Sequence, residues 1–202
     1  MSIKRLLFGL AAVLLSVALL HAALPKHSLA PEPSTLTGRV LIASTSISDP
    51  RFSRTVILIV RHGKDGAFGI VINRPAGERS FASLLEPLGD KELAQAGSVR
   101  IFAGGPVQRQ MGFVVHSTDY EHAETIAING ELAATTSADI LRAMARGKGP
   151  KKALVAFGYA GWGPGQLEAE LARKDWLLAT ADAALVFDAP RERVWDEAMA
   201  RR

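Results

Sequence analysis

An α+β fold, built on a mainly antiparallel and barrel-like β-sheet with short peripheral helices, is the class this sequence predicts. Three observations predict it. Strand-like runs rich in β-branched residues recur from residue 39 to residue 189, while helical patterns are short and irregularly interspersed among them. "TVILIVRH" (55–62), "GKDG" and "AFGIVINRP" (67–75) form a hairpin signal, two β-prone runs joined by a short Gly-containing loop. The order of elements does not alternate strand and helix as repeated βαβ units would.

Taken in order, "RVLIAST" (39–45) is a strand and "DPRFSR" turns the chain into the hairpin. Residues 80–96 carry Phe81, Leu84, Leu85 and Leu88 at spacings of three and four, a helical pattern. "VRIFAGG" (99–105) and "MGFVVHS" (111–117) are strands, and "ETIAING" (124–130) supplies a partner for the latter. "SADILRAMARGKG" (137–149) starts a helix at Ser137 and stops it at Gly147 and Gly149. "KALVAFGYA" (152–160) reads as a buried strand, followed by a short helix over Gln166–Ala172, with Pro164 in its first turn. Strands at "WLLAT" (176–180) and "AALVFDA" (183–189) follow. A terminal helix then pairs Val194 with Ala198 and Trp195 with Met199.

The 202-residue chain divides unevenly. Lys4 and Arg5 precede the uncharged run "LLFGLAAVLLSVALL" (6–20), which His21 interrupts before "AAL" carries it to Leu24. That length lies between a signal-peptide core and a spanning helix, so residues 1–24 read as an uncleaved anchor or a cleaved signal peptide. Either places the domain at or beyond a membrane with the basic end cytoplasmic; a misassigned start would leave a cytosolic protein. Residues 25–35 are a Pro/Ser-rich linker, and residues 36–202 form one domain.

Composition excludes several function classes. The chain has no cysteine, which removes disulfides, thiol catalysis and Cys-based metal sites. Its net charge of +4 splits into +2 for residues 1–35 and +2 for the remainder, too even to argue for a nucleic-acid partner. Arg142, Arg146, Lys148, Lys151 and Lys152 do cluster, either to grip a phosphate backbone or as a solvated helix end. No phosphate-binding, serine-hydrolase or zinc-protease motif occurs, and no metal, cofactor or catalytic residue is expected.

Three glycine- and proline-marked turns remain as candidates. In "INRP", Asn73 can bond local backbone and Arg74 offers a planar fork of donors ahead of Pro75. They line an anion or peptide site, or buttress the fold by capping carbonyls. "AGGP" places Gly104 and Gly105 before Pro106, where backbone can approach something closely. "GYAGWGPGQLEAEL" (158–171) surrounds Tyr159, Gly161 and Trp162 with glycines and opens the helix at Gln166. Glu168 at the helix start argues against a phosphate there, and Glu170 is matched with Lys174.

"LIASTSISDPRFSRTVILIVRH", "GAFGIVINRP", "FAGGPVQRQMGFVVH", "FGYAGWGPGQLEAEL" and "WLLATADAALVFD", in this order, resemble the YqgE/AlgH family of bacterial proteins over Leu36 to Met199. The resemblance implies an α+β fold around a barrel-like antiparallel sheet. It also implies an association, in one lineage, with transcriptional regulation of an exopolysaccharide pathway, but no reaction or ligand. The chain departs from the family pattern in its hydrophobic leader, in Ser44 where methionine is frequent, and in "RKDWL".

The expected function is a non-enzymatic binding or regulatory domain. It would face an unidentified protein or small molecule with Asn73, Arg74, Pro75, Gly104, Gly105, Pro106, Tyr159, Gly161, Trp162, Gln166 and Glu168. The alternative is an enzyme acting on an unidentified small molecule through a pocket that includes Arg74 and Glu168, with His116 or His62.

Overall fold

The computed structural model describes residues 35–47, 49–90 and 97–202. The leader and linker therefore lie outside the described residues, as does the end of the helical pattern predicted for 80–96. No helix among the described residues is long and apolar enough to cross a membrane.

Ten strands form one curled, almost wholly antiparallel sheet. They are β1 (Arg39–Ala43), β2 (Val56–Gly63), β3 (Gly66–Val71), β4 (Pro75–Ser80), β5 (Ser98–Ala103), β6 (Val107–Ser117), β7 (Thr125–Ala127), β8 (Leu132–Thr135), β9 (Ala153–Trp162) and β10 (Trp176–Thr180). The main path runs β10-β1-β2-β3-β9-β6-β8-β7, while β5 joins β9 in parallel and β4 hangs on β5. Helices α1 (Phe81–Leu85), α2 (Ala138–Ala145), α3 (Gln166–Ala172) and α4 (Val194–Met199) are short and lie at the periphery of the sheet.

Every residue of β2 from Val56 to Val60 is buried because both of its faces are covered. Val56, Leu58 and Val60 enter the largest apolar cluster, with Val40, Ile42, Ile70 and the packing residues of α4. Ile57 and Ile59 enter a second cluster with Leu41, Val71, Trp162, Leu167 of α3 and Trp176. Two-sided burial explains the continuous apolar run in place of an alternating one. Each such side chain contributes about 1.5–3 kcal/mol by leaving water. A third cluster, Ile101, Val114, Ile140 and Val155, lies under α1 and α2.

β9 belongs to all three clusters because it changes parity part-way. Leu154 and Ala156 face the first cluster and Val155 the third; beyond Gly158, Ala160 and Trp162 face the second. In a regular strand, alternate residues keep one face throughout. Gly158, at φ +77°, breaks that rule, and the pairing with β6 shifts across it, from Phe157 opposite Gly112 to Tyr159 opposite Val107. Residues 108–111 of β6 arch out at this shift, and Gln108 takes a left-handed φ of +45° that non-glycine residues rarely adopt.

Several elements differ from the sequence prediction. The strand expected over 67–75 ends at Val71, and an unpredicted strand begins at Pro75. The Asn73 side chain is bonded back to β2 at this corner, and proline is tolerated at the start of an edge strand. The helix starting near residue 80 is a single turn capped by Ser80, followed by a 3₁₀ turn that ends at Gly89 in the left-handed region. β6 pairs with β8, not with 124–130. Asn129 Oδ1 accepts from Glu131 and Leu132 N–H, which reverses the chain so that β8 lies between β6 and β7. "ALVFD" is a π-type helical turn (Ala184–Asp188) rather than a strand, with Leu185 N–H capped by Asp182. Leu185 and Val186 are both wholly buried in the same cluster, which alternation along a strand would not allow. Pro164 precedes α3, whose N-cap is Gly165 at φ +73°.

A Cβ at position 158 would lie 2.4 Å from the Gly105 carbonyl oxygen. Gly158→Ala is therefore expected to lose at least about 3 kcal/mol of stability, from left-handed strain plus overlap with backbone. Gly130→Ala, whose Cβ would meet nothing within 4 Å, should change it by about 0.5 kcal/mol or less. Denaturant unfolding of both variants checks this, and equal stabilities would contradict it.

Candidate functional site

The INRP corner and the AGGP turn meet over β9. Asn73 Oδ1 accepts from Val56 N–H at 2.9 Å and its Nδ2 donates to the Arg54 carbonyl at 2.8 Å. Arg74 donates through Nη2 to the Ser53 carbonyl and, at 3.1 Å, to Thr55 Oγ1. The carbonyl of Arg74 accepts from Ala103 N–H at 2.9 Å. Both residues thus fasten the end of β3 to β2 and β5, the buttressing role read as one of two alternatives. Gly104 accepts from Val71 N–H and donates to the Phe157 carbonyl, both at 2.8 Å. A Cβ at Gly104 would lie 2.3 Å from the Gly158 oxygen, and one at Gly105 2.1 Å from the Tyr159 carbonyl carbon. Only glycines fit this crossing.

Beside the crossing lies a cleft of about 820 Å³. Its apolar wall includes Val71, Ile101, Phe102 and Phe157, and Arg51, Arg74, Arg79 and Arg109 also line it. No carboxylate and no histidine lines it among the described residues. Of the predicted residues, Arg74, Pro75, Gly105 and Pro106 line the cleft. Arg79 comes from β4 and Arg109 from the β6 arch, two elements whose local shape the sequence pattern did not show. The sequence signal for the arch is the polar run "QRQ" (108–110) interrupting a strand-like pattern.

Pro106, Arg51 and Phe52 separate the cleft from a smaller hollow of about 350 Å³, which Gly161, Trp162 and Gln166 line. Here Glu170 is the hub. Its Oε2 accepts from the indole N–H of Trp162 and of Trp176, each at 2.8 Å, and its Oε1 from Gln166 at 2.9 Å. Gln166 in turn accepts from Gly163 N–H. The two indoles stand edge to face, 6.2 Å apart. Glu170 is not paired with Lys174, because helix α3 ends at Ala172 and Lys174 takes a left-handed φ of +62°. Through Glu170, α3 thus holds two tryptophans against the second cluster.

The remaining candidates lie elsewhere. Tyr159 packs edge to face on Phe68 and Phe113 in the largest cluster. Glu168 Oε1 accepts from His62 Nε2–H at 2.8 Å, while His62 Nδ1 accepts from Leu36 N–H. This ties α3 to β2, and the carboxyl is held below its usual range by its own backbone N–H and then by His62. His116 is wholly buried, donating from Nδ1 to the Ser117 carbonyl and accepting at Nε2 from Thr135. Burial pushes its pKa down and holds the ring neutral. Neither histidine nor Glu168 lines the cleft that holds Arg74, so the enzyme pocket imagined from these four residues is not assembled. No group of three His, Asp or Glu among the described residues is placed to hold a metal ion. In the basic segment, Arg142 pairs with Asp90 and Asp139, and Lys152 with Asp188.

The curled antiparallel sheet with a few short helices is shared with similar proteins. The family model described as AlgH-like (DUF179) matches residues 40–202, and the chain belongs to this family. A UPF0301 protein of Cereibacter sphaeroides is 50% identical over 153 residues, 75% of this chain and 83% of that one. One from Methylococcus capsulatus is 44% identical over 81% of this chain and 89% of its own. The solution structure of the AlgH protein from Pseudomonas aeruginosa superposes with a TM-score of 0.72 at 44% identity, covering 85% of this chain and 91% of that one. A protein from Corynebacterium diphtheriae shares the fold at a TM-score of 0.63 and 23% identity, covering 85% and 88%.

Glu170→Ala would leave two part-buried indole donors unpaired, at about 1–3 kcal/mol each. A loss of about 2–4 kcal/mol is expected in denaturant unfolding, with Glu170→Gln losing less than half of that because an acceptor oxygen remains. Equal losses in the two variants would contradict the hub.

Proposed function

We propose that this AlgH-like protein is a non-catalytic binding module, regulatory in role, whose ligand occupies the arginine-lined cleft. The observation that carries this reading is the make-up of the cleft walls: apolar side chains, four guanidiniums and two hydroxyls, Thr55 and Ser83. General acid–base or nucleophilic chemistry needs a base beside the reacting group. The described lining offers only cations and unactivated hydroxyls. The volume lies within the range of small-molecule sites. Binding that changes the mobility of the β6 arch or of the β4 edge would give such a module an output without turnover.

Ala103 lines the cleft and is exposed, so Ala103→Trp puts an indole into the space a ligand would use. A thermal-shift screen of metabolites should find compounds that raise the Tm of the natural protein. The rise is about 5–10 °C at a hundredfold excess over Kd. Those shifts should vanish in Ala103→Trp, and the compounds should be recovered unchanged. Shifts that survive in the variant, a screen with no stabilising compound, or chemical conversion of one would contradict the proposal.

A further inference from the structure

We infer that the cleft takes a small organic phosphate: a compact dianionic phosphoryl group on an apolar or aromatic body. This rests on the cleft being the ligand site and adds the chemical class of its ligand.

Charge matching comes first. Arg51 is held by Asp49, whose Oδ2 accepts from Nε at 3.0 Å and Nη2 at 2.6 Å, so its charge is already balanced. Arg74, Arg79 and Arg109 have no ion-pair partner among the described residues, and no acid lines the cleft among them. Up to three positive charges therefore face one cavity. A single carboxylate would leave most of that charge unmatched. A phosphate monoester carries about −1.5 to −2 at neutral pH and offers three acceptor oxygens.

Donor geometry comes second. Every lysine is absent from the described lining; all four cations are arginines, whose planar forks suit phosphate oxygens. Arg74 is fixed by bonds from Nη2 alone to Ser53 and Thr55. Its Nη1 and Nε make no hydrogen bond among the described residues and are left to a ligand. Arg79 and Arg109 enter from different elements, β4 and the β6 arch, so an anion between them would be gripped from two sides. The left-handed Gln108 next to Arg109 is backbone strain of the kind that persists where a side chain must be aimed.

The apolar wall comes third. Val71, Ile101, Phe102 and Phe157 offer nothing to a bare inorganic ion but can cover a hydrocarbon or ring. The ligand therefore has a body as well as a charged head.

The test is calorimetric titration of 1-naphthyl phosphate at pH 7.5, with 1-naphthoate, naphthalene-1,8-dicarboxylate and inorganic phosphate as comparators. Binding of 1-naphthyl phosphate is expected at least about tenfold tighter than that of each comparator. Arg79→Ala and Arg109→Ala should each weaken it by about ten- to a hundredfold. Arg100→Ala, an exposed arginine on β5 outside the cleft, should leave it unchanged. No binding, or weakening by Arg100→Ala equal to that by Arg79→Ala, overturns the phosphate assignment. Equal or tighter binding of either carboxylate, abolished by Ala103→Trp, would also overturn it while leaving the cleft as the ligand site. Failure of the cleft itself has a different signature: 1-naphthyl phosphate binding that Ala103→Trp does not reduce.

Discussion

Two backbones touch where Gly104 and Gly105 cross Gly158. The Gly105 carbonyl occupies the space that a side chain at 158 would need, and the backbone at 158–160 occupies the space that side chains at 104 and 105 would need. This contact joins β3, β5, β6 and β9, because Gly104 bonds both Val71 and Phe157 and Gly158 sits at the β6–β9 register shift. It also lets one strand serve three apolar clusters. Without the parity change at Gly158, Trp162 and Leu154 would need to share one face of β9. With it, Leu154 reaches the inside of the curled sheet while Trp162 lies under α3.

The cleft is a by-product of that crossing. The AGGP turn must descend onto β9, so the INRP corner and the arch of β6 are left standing on either side. Their arginines face a space that no side chain from the turn fills. On the proposed reading Arg74 serves both fold and site: one guanidinium nitrogen fastens the corner through Ser53 and Thr55, and the others are left to a ligand. The buttressing and anion-site readings of INRP are therefore compatible. Within α3, by contrast, Glu170 commits both carboxylate oxygens to Trp162, Trp176 and Gln166.

Much of the sheet was legible in the sequence, because β-branched runs and tight turns act locally. The β2–β3 hairpin, β9, β10, the Ser137 cap and the span of α3 follow from patterns within a dozen residues. What was not legible depends on partners far along the chain. "PAGERS" has no strand pattern and is held extended by pairing with β5. "ALVFD" has one, but Asp182 caps a helical turn there and the interior accepts two consecutive side chains. The site divided in the same way. Arg74, Gly105 and Pro106 are marked by proline and glycine next to them. Arg79 and Arg109 are ordinary surface arginines until the corner and the arch bring them to one cavity. Glu170 looked like a helix-surface carboxylate, since nothing in local spacing links it to indoles six and eight residues away.

Amide chemical-shift mapping reads directly whether the cleft is where this protein meets its ligand. On titrating 1-naphthyl phosphate into the ¹⁵N-labelled protein, the largest shifts should fall on Val71, Arg79, Ser83, Ala103, Gly105, Arg109 and Phe157. Shifts centred instead on Gly163–Glu168 or on residues 146–152 would contradict it.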